Sequence, residues 1–493
     1  MGCCSSSGTD PLLLVSNRDI IDTSKNPKSV CRSIGSIRES YTIIKTLGSG
    51  SLGNVFLVKD KRSGLERAAK ELIKSMMNQS ELDGFFYELS LLKNIVKSKQ
   101  DHPSIMRIYE IIETTTRIYI ISEYLSGGQL FEKLVTIEKI TERLAARYLC
   151  HIILALNYCH RLGIIHRDIK PENLLFESDA PDAHLKIFDF GISRISNSNE
   201  SDLQLSVGAV SYMAPERFKG NVSLKSDIWS AGVILYTMLS GRLPFQADTD
   251  AGTAKMISQG VIDMHNTVWS SISTEAKNLI IKMLKKDPKD RPTAEDVLSD
   301  PWLVSYTRST INDNPICQEA LVNLGKFNVI FIKARNKLEK SIFSFISNQV
   351  MGTIEMRKLS DMFINLDKNG DGTLSKDEIE EGYDALGIPA PASLNELMKK
   401  LDGEGDGTIN YTQFLAATQD WSCLSQKKEL EIAFKIYDIG GDGTLSLDEL
   451  KQAIPGIKDS EWADFLTQAD SNGDGLISLE ELKNYLTTKT ESS

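Results

Sequence analysis

Four copies of a twelve-residue acidic pattern occupy the last part of this 493-residue chain. The copies begin at Asp367, Asp402, Asp438 and Asp470, and each contains D-x-x-x-D-G-x followed by an apolar residue. Oxygen-bearing side chains at alternating positions, glycine at the sixth and an acid at the twelfth suit a calcium-binding helix–loop–helix unit. The regular spacing argues against four unrelated acidic turns. The pattern therefore predicts four EF-hands within residues 355–490.

Two of the four loops have a complete ligand set. In loop one the predicted ligands are Asp367, Asn369, Asp371, the backbone of Thr373 and Glu378. In loop four they are Asp470, Asn472, Asp474, the backbone of Leu476 and Glu481. We expect both loops to bind Ca²⁺.

The second and third loops each lack one ligand. Loop two offers Asp402, Glu404, Asp406 and the backbone of Thr408, but Gln413 replaces the bidentate acid. Loop three offers Asp438, Asp442, the backbone of Thr444 and Glu449, but Gly440 stands at its third position. We expect weaker binding in both, because a neutral amide offers one oxygen and glycine offers no side-chain oxygen. If neighbouring loops pair, each pair holds one strong and one impaired loop.

The charge distribution agrees with a cation-binding tail. From Glu355 onward the chain has 13 Lys+Arg and 28 Asp+Glu, a net charge of -15, whereas the remainder is +4. A nucleic-acid-binding chain would show the opposite bias. The sequence contains no apolar run long enough for a membrane-spanning helix and no secretory signal. Seven cysteines without a C-x-x-C pair predict neither a disulfide framework nor a zinc site.

A glycine-rich hairpin near the start of the folded region points to nucleotide binding. Residues 47–55 fit G-x-G-x-x-G-x-V between strands predicted at 41–47 and 54–59. Lys70 follows in an A-x-K strand, predicted at 65–71, that would contact phosphate. Glu88 lies in a helical stretch and is the predicted partner of Lys70. The hairpin residues expected to bind ATP are Leu47, Gly48, Ser49, Gly50, Gly53 and Val55.

A second group of motifs is more specific, because its members occur in order and at workable spacing. His166-Arg167-Asp168 leads into Lys170 and Asn173, and Asp189-Phe190-Gly191 follows a strand. In phosphoryl transfer Asp168 would accept or orient the proton of the attacking hydroxyl, and Lys170 would neutralise phosphate charge. Asn173 and Asp189 would hold Mg²⁺.

Residues 41–303 thus resemble a eukaryotic-type protein kinase domain of the serine/threonine branch. The resemblance implies an α+β, bilobal fold, with a small β-rich lobe and a large helical lobe, followed by an all-α EF-hand domain. It also implies that Asp227 belongs to a structural helix and that Arg291 pairs with Glu216 of Ala-Pro-Glu. Ser122 falls at the gatekeeper position before the adenine-binding hinge, whose predicted contacts are Glu123 and Leu125.

Two features of the activation segment remain open from sequence. Gly208-Ala209 replaces the Gly-Thr of many serine/threonine kinases, which removes a hydroxyl brace on the catalytic residues. Arg167 usually recruits a phosphate in this family. Glu200 and Asp202, or phosphorylated Ser201 and Ser206, are alternative partners for it.

A basic amphipathic helix is predicted between the two halves, within the linker at 304–350. Its apolar positions recur at helical spacing, with lysines alongside, as in calmodulin targets. The apolar positions are Phe327, Phe331, Ala334, Leu338, Ile342 and Phe345. Kinase, basic helix and four EF-hands in this order resemble the calcium-dependent protein kinases. That resemblance implies inhibition at low Ca²⁺ by the linker and EF-hands, either by blocking the substrate groove or through a brace.

The first 40 residues are polar and are predicted to be a flexible leader. Met1-Gly2-Cys3-Cys4-Ser5-Ser6 fits a myristoylation pattern at Gly2, with Cys3 and Cys4 as candidates for palmitoylation. Two acyl chains anchor a protein stably, so we expect a cytoplasmic, membrane-associated kinase. Expected partners are protein substrates, the membrane surface and, within the chain, the linker helix with the EF-hand lobes.

Two other functions compete with a calcium-activated kinase. A calcium-responsive scaffold with an inactive kinase fold is disfavoured by retention of Lys70, Asp168, Asn173 and Asp189. A constitutive kinase whose EF-hands only buffer Ca²⁺ is disfavoured by the basic linker helix.

Overall fold

A computed structural model describes most of the chain. The described residues are 32–50, 53–79, 82, 85, 102–135, 140–188, 209–307, 321, 324, 353–392, 394–402, 405–418, 428–438, 440–453 and 459–491. Within them no helix is both long and apolar enough to cross a bilayer.

The small lobe is a six-stranded sheet. Its strands are β1 Arg32–Ser33, β2 Tyr41–Gly50, β3 Gly53–Asp60, β4 Glu66–Ile73, β5 Ile108–Glu113 and β6 Arg117–Glu123. The spatial order is β1-β5-β6-β4-β3-β2, with β1 parallel to β5 and the other pairs antiparallel. Residues 118–121 of β6 are all buried, as expected of a central strand covered on both faces. The strands predicted in 41–47, 54–59 and 65–71 are therefore present, with longer bounds.

The end of the leader is ordered, which corrects the prediction that all of 1–40 is flexible. Strand β1 pairs with β5, and Ser36 caps a short 3-10 turn at Ile37–Glu39. Ile37 is buried in an apolar cluster with Tyr41 and Ile112. The polar composition gave no indication that this segment is ordered, because only one buried isoleucine and main-chain pairing to a sheet edge hold it in place.

The large lobe is helical around one short β ribbon. Its helices are α1 Leu130–Val135, α2 Glu142–Arg161, α3 Leu224–Ser240, α4 Asp250–Gln259, α5 Thr274–Met283, α6 Ala294–Leu298 and α7 Pro301–Thr307. The ribbon pairs β7 Leu174–Phe176 with β8 Leu185–Ile187. Helices α2 and α3 form the centre of the core, since 14 of the 20 residues of α2 and 14 of the 17 residues of α3 are buried.

Helix α7 runs past residue 303, where the linker was predicted to begin. Trp302 and Leu303 are buried, and Trp302 Nε1 donates to Glu142 Oε2 at 2.7 Å. The apolar side chains at the start of this helix attach it to the large lobe, so the helix belongs to that lobe through Thr307.

The EF-hand region contains eight helices in its described part. They are α8 Thr353–Leu366, α9 Lys376–Ala385, α10 Leu394–Leu401, α11 Tyr411–Thr418, α12 Lys428–Tyr437, α13 Leu447–Ala453, α14 Asp459–Ala469 and α15 Leu479–Glu491. Between them, β9 Thr373–Leu374 pairs with β10 Ile409–Asn410, and β11 Thr444–Leu445 pairs with β12 Ile477–Ser478. The region is thus helical, as predicted, with two small ribbons that join paired loops. The ribbons confirm pairing of loop one with two and three with four.

Candidate active site and calcium loops

The catalytic loop places Asp168 among polar partners at the lobe centre. Asp168 is buried, and Lys170 Nζ lies 2.9 Å from its Oδ2. Asn173 Nδ2 donates to the Asp168 carbonyl at 2.7 Å and to its Oδ2 at 3.1 Å. Because the Asn173 nitrogen is used in this way, its amide oxygen is the atom suited to ligate Mg²⁺. The structure therefore brings three of the four predicted catalytic residues together.

The turn before Asp168 is held in an unusual backbone conformation. Arg167 has φ of 68°, and it is the one non-glycine with positive φ in the part of the chain described. The buried carboxylate of Asp227, from α3, accepts the main-chain N–H groups of His166 and Arg167, each at 2.9 Å. His160 Nε2 lies 3.0 Å from the same carboxylate. The Asp227 side chain thus holds the backbone of the catalytic loop in this conformation.

The predicted pairing of Arg291 with Glu216 is present and buried. Two nitrogens of Arg291 donate to the two oxygens of Glu216, at 2.7 and 2.6 Å. Ser226 Oγ donates to the same carboxylate at 2.7 Å. Burial raises the pKa of Glu216, but the hydrogen bonds from Arg291 and Ser226 outweigh it, so that the pKa lies below its ordinary value.

The glycine-rich hairpin leaves room for a ligand on one side. A Cβ at Gly48 would meet nothing within 4 Å, whereas one at Gly53, where φ is 152°, would clash with the backbone of Glu71. Gly53 is therefore required by packing against β4, and Gly48 leaves the backbone open to phosphate. Val55 pairs with Lys70 across β3 and β4, which places the predicted phosphate-contacting lysine beside the hairpin. The open backbone of the hairpin and the position of Lys70 beside it are suited to binding the phosphates of ATP.

The hinge contains an ion pair that the sequence motifs did not indicate. Lys186 Nζ, from β8, contacts both oxygens of Glu123 at 2.8 and 2.9 Å, and Arg107 N donates to Glu123 Oε1 at 2.7 Å. Burial raises the pKa of Glu123, but Lys186 and Arg107 more than offset it, so the pKa is lowered. The Glu123 carboxylate thus connects the hinge to the large lobe. The sequence offered one signal of this ion pair, which is the presence of Lys186 within the apolar strand β8.

The other hinge residues lie where the sequence predicted them. Ser122 is 5% exposed and pairs with Ala68 across β4 and β6, and Leu125 is buried. Some predicted residues lie outside the described part of the chain. These are Glu88, Asp189, Glu404, the activation-segment residues 200–206, the linker-helix stripe of 327–345, and Gly2, Cys3 and Cys4.

The described parts of the four calcium loops share one hydrogen bond between the first and sixth positions. In each, the outer oxygen of the first aspartate accepts the N–H of the sixth-position glycine. The distances are 2.8 Å for Asp367, 2.7 Å for Asp402, 2.9 Å for Asp438 and 2.8 Å for Asp470. The donor set of carboxylates, amide oxygens and one carbonyl per loop fits Ca²⁺ rather than a softer metal.

The twelfth-position side chain in each loop accepts main-chain hydrogen bonds. Glu378 Oε2 accepts the N–H of Ser375 at 2.8 Å, and Glu481 does the same with Ser478 at 2.9 Å. In loop two, Gln413 Oε1 accepts the N–H of Asn410 at 2.8 Å. Within the described residues no three His, Cys, Asp or Glu side chains form a closed cluster. Gln413 thus preserves the structure of the loop but not its charge.

Loop one differs from the others because it packs against the kinase lobe. Asn157 Nδ2, on α2, donates to the carbonyl of Gly370 at 2.6 Å, and Arg161 Nη1 lies 3.1 Å from Asp371 Oδ2. Asp367 is 4% exposed, and this burial raises its pKa to about 7. No sequence motif marked Asn157 or Arg161.

A second contact joins helix α8 to the turn between β7 and β8. The buried guanidinium of Arg357 donates to Glu177 Oε1 at 2.5 Å, Ser178 Oγ at 2.8 Å and Asp182 Oδ1 at 2.9 Å. Hydrogen bonds and charge from these carboxylates raise the pKa of Arg357 despite its burial, which lowers it. His184 Nε2 lies 2.9 Å from Asp361 of the same helix. The first EF-hand is thus attached to the lobe that carries Asp168.

Comparisons with known proteins agree with both halves. The protein kinase domain family matches residues 41–303, and the EF-hand domain pair matches 356–419 and 427–487. The chain is 33% identical over 420 residues to calcium-dependent protein kinase 19 of Oryza sativa subsp. japonica, covering 85% of this chain and 76% of the relative. It is 32% identical over 434 residues to calcium-dependent protein kinase 9 of Arabidopsis thaliana, covering 88% and 78%. Calcium-dependent protein kinase 3 of Plasmodium berghei (strain Anka) is 31% identical over 417 residues, covering 84% and 73%.

Proposed function

Because the chain belongs to the calcium-dependent protein kinase family, we propose that its linker and EF-hand region hold the kinase inactive at low Ca²⁺. The chain is a calcium-regulated protein serine/threonine kinase that uses ATP and Mg²⁺. The observation that carries calcium regulation is the contact of loop one with the end of α2, through which the state of a calcium loop can reach the kinase lobe. Arg161 meets a predicted calcium ligand there, and the catalytic loop begins five residues later, at His166.

Each catalytic side chain is assigned a role by its surroundings. Asp168 accepts or orients the proton of the substrate hydroxyl, and Lys170 places positive charge beside it at 2.9 Å. Asn173, fixed through its amide nitrogen, would hold Mg²⁺ through its amide oxygen, with Asp189 as the other predicted ligand. When bound, Mg²⁺ supplies charge neutralisation to the transferred phosphoryl group.

One experiment separates the proposal from its rivals. Phosphorylation of a peptide by the full chain is measured with Ca²⁺ and with excess EGTA, beside the Asp168→Asn variant. We expect activity with Ca²⁺, little in EGTA, and none from Asp168→Asn. Equal activity in EGTA would identify a constitutive kinase with buffering EF-hands. Calcium binding without activity under either condition would identify a scaffold.

We further propose that the kinase is tethered to a membrane by acyl groups at Gly2, Cys3 and Cys4. Support comes from the terminal pattern, since one acyl chain binds marginally and two bind stably. Gly2→Ala is expected to move the protein from the membrane to the soluble fraction of a cell extract. Ser7→Ala, at a position outside the predicted acceptors, serves as the matched control. Gly2→Ala protein that stays with the membrane contradicts tethering by myristate.

A further inference from the structure

The described parts of the four calcium loops turn alike at the sixth position, but only loop one has close neighbours there. The sixth-position glycines Gly372, Gly407, Gly443 and Gly475 have φ of 81°, 84°, 83° and 80°. A Cβ at Gly372 would lie 2.6 Å from Cδ2 of Tyr158 on α2, whereas a Cβ at any of the other three would meet nothing within 4 Å. The sixth position of loop one therefore contributes to an interface with the kinase lobe.

The fourth-position glycines show the same contrast. At Gly370, with φ of 64°, a Cβ would collide with Cδ1 of Leu298 and approach Cδ2 of Leu154 at 3.1 Å. Gly405, Gly441 and Gly473 also have positive φ, and a Cβ at any of them would be unobstructed. The kinase surface thus fits two glycines of loop one in their left-handed conformations. A loop that left this conformation would lose the fit.

The polar contacts depend on the same conformation. Asn157 is 4% exposed, and its amide reaches two successive carbonyls of the loop, Gly370 O at 2.6 Å and Asn369 O at 3.3 Å. The chain turns at Gly370, where φ is 64°, and in this conformation both carbonyls face the Asn157 amide. A buried donor without its acceptors costs stability, so Asn157 favours the turned loop.

The two oxygens of the Asp371 carboxylate, at position five, have different partners: one contacts the loop and the other contacts the kinase lobe. Asp371 Oδ1 accepts the N–H of Thr373 at 2.8 Å, and its Oδ2 faces Arg161. Asn369, two positions earlier, has one side-chain oxygen, which accepts the N–H of Asp371 at 2.8 Å and is also the predicted ligand. In Asp371 the oxygen that likewise accepts an N–H two positions later is Oδ1, so we assign Oδ1 as the ligating oxygen. Arg161 contacts the other oxygen, Oδ2, and therefore does not compete with Ca²⁺ for the ligating oxygen.

We propose that the kinase lobe recognises the calcium-binding conformation of loop one, so that Ca²⁺ binding to this loop and its docking on α2 favour each other. Without a cation the clustered carboxylates of the loop repel one another and oppose the turned conformation. Ca²⁺ stabilises this conformation, which Asn157, Tyr158 and Leu298 fit. By linkage, docking must in turn raise the affinity of loop one for Ca²⁺.

The test measures Ca²⁺ affinity of loop one in the full chain by isothermal titration calorimetry. Glu449→Gln and Glu481→Gln first weaken loops three and four, and loop two already has Gln413 at its twelfth position. Two kinase-side changes are then compared in this background: Asn157→Ala removes the donor, and Leu298→Trp obstructs Gly370. Neither substitution changes a residue of the loop or the charge of the protein. The electrostatic repulsion between Arg161 and bound Ca²⁺ is therefore the same in all the proteins compared. Asn278→Ala, at an exposed site on α5, is the matched control.

We expect Asn157→Ala and Leu298→Trp each to weaken Ca²⁺ binding by about threefold or more, with Asn278→Ala equal to the parent. Unchanged or tighter binding in both kinase-side variants overturns the proposal, as does an equal loss in Asn278→Ala. Circular dichroism of each variant shows that the fold is retained. Because the measurement is binding, its result does not depend on whether the linker inhibits the kinase.

Discussion

Arg291 and Glu216 form a two-point ion pair in the core of the large lobe, with no side-chain exposure of the arginine. The arginine also donates to the carbonyl of Lys285 at 2.6 Å and lies over the ring of Trp229. This pair ties the Ala-Pro-Glu segment to the end of the kinase domain. Since Glu216 ends the segment that begins at Asp189, the pair fixes one end of the activation segment.

Arg291→Met is expected to destabilise the kinase domain by about 3–5 kcal/mol, because it leaves the Glu216 carboxylate buried without its partner. Urea unfolding followed by circular dichroism measures the loss. Lys282→Met is the control, since Lys282 pairs with Asp300 but is 55% exposed. That change should cost less than about 1 kcal/mol. Similar losses for both variants would contradict a special role for the buried pair.

Ser122→Met is expected to abolish inhibition by adenine mimics that carry bulky aryl groups. Ser122 is buried beside the hinge on β6, and we expect its small side chain to leave space behind the adenine position. Methionine would occupy that space, while ATP itself needs none of it. Inhibition constants of the two forms, measured at matched ATP saturation, provide the comparison. Equal inhibition would show that the space is not reached from the adenine pocket.

Gln413→Glu is expected to raise the Ca²⁺ affinity of loop two by about tenfold or more, because it restores a charged bidentate ligand. The amide already occupies the position that the acid takes in the other loops, so the backbone needs no rearrangement. Titration calorimetry of the full chain should show an additional tight site. Gln426→Glu, outside the loops, adds the same charge as a control. Binding isotherms that match the parent would place the deficiency elsewhere in the loop.

The large lobe is expected to lose stability as the pH falls below about 6.5, because two buried imidazoles must stay neutral. Burial lowers the pKa of His102 to about 3, and it lowers the pKa of His151 well below its ordinary value. Each Nδ1 accepts a main-chain N–H, from Ser104 and Leu185 respectively. The unfolded chain binds these protons near pH 6.5 and the folded chain does not, so acid favours unfolding by up to about 1.4 kcal/mol per pH unit per histidine.

Thermal unfolding midpoints between pH 7.5 and 5 measure this dependence, with excess EGTA present throughout. His151→Gln should reduce the slope, since Gln can accept from Leu185 without titrating. His265→Gln, at an exposed site, should leave the slope as it is. A slope that His151→Gln does not change would assign the acid sensitivity to other groups.

The sequence determined the two functional halves of this protein and most of their chemistry. Glycine spacing, the His-Arg-Asp to Asn173 run and the four acidic repeats predict a kinase and EF-hands, because each requires particular residue types at short range. The strands at 41–47 and 54–59 followed from local pattern for the same reason. The ordered end of the leader did not, since one buried isoleucine gives no periodic signal.

Tertiary structure decided which ordinary residues become partners. Lys186 pairs with Glu123 across 63 positions, and Asn157 meets Gly370 across 213. Neither pairing has a local motif, because the distance between the partners is set by how helices and lobes pack. Four loops with nearly the same sequence also have different surroundings, since only packing places Gly370 and Gly372 of loop one against α2. Side-chain identity thus set the chemistry, and packing set which calcium loop contacts the kinase lobe.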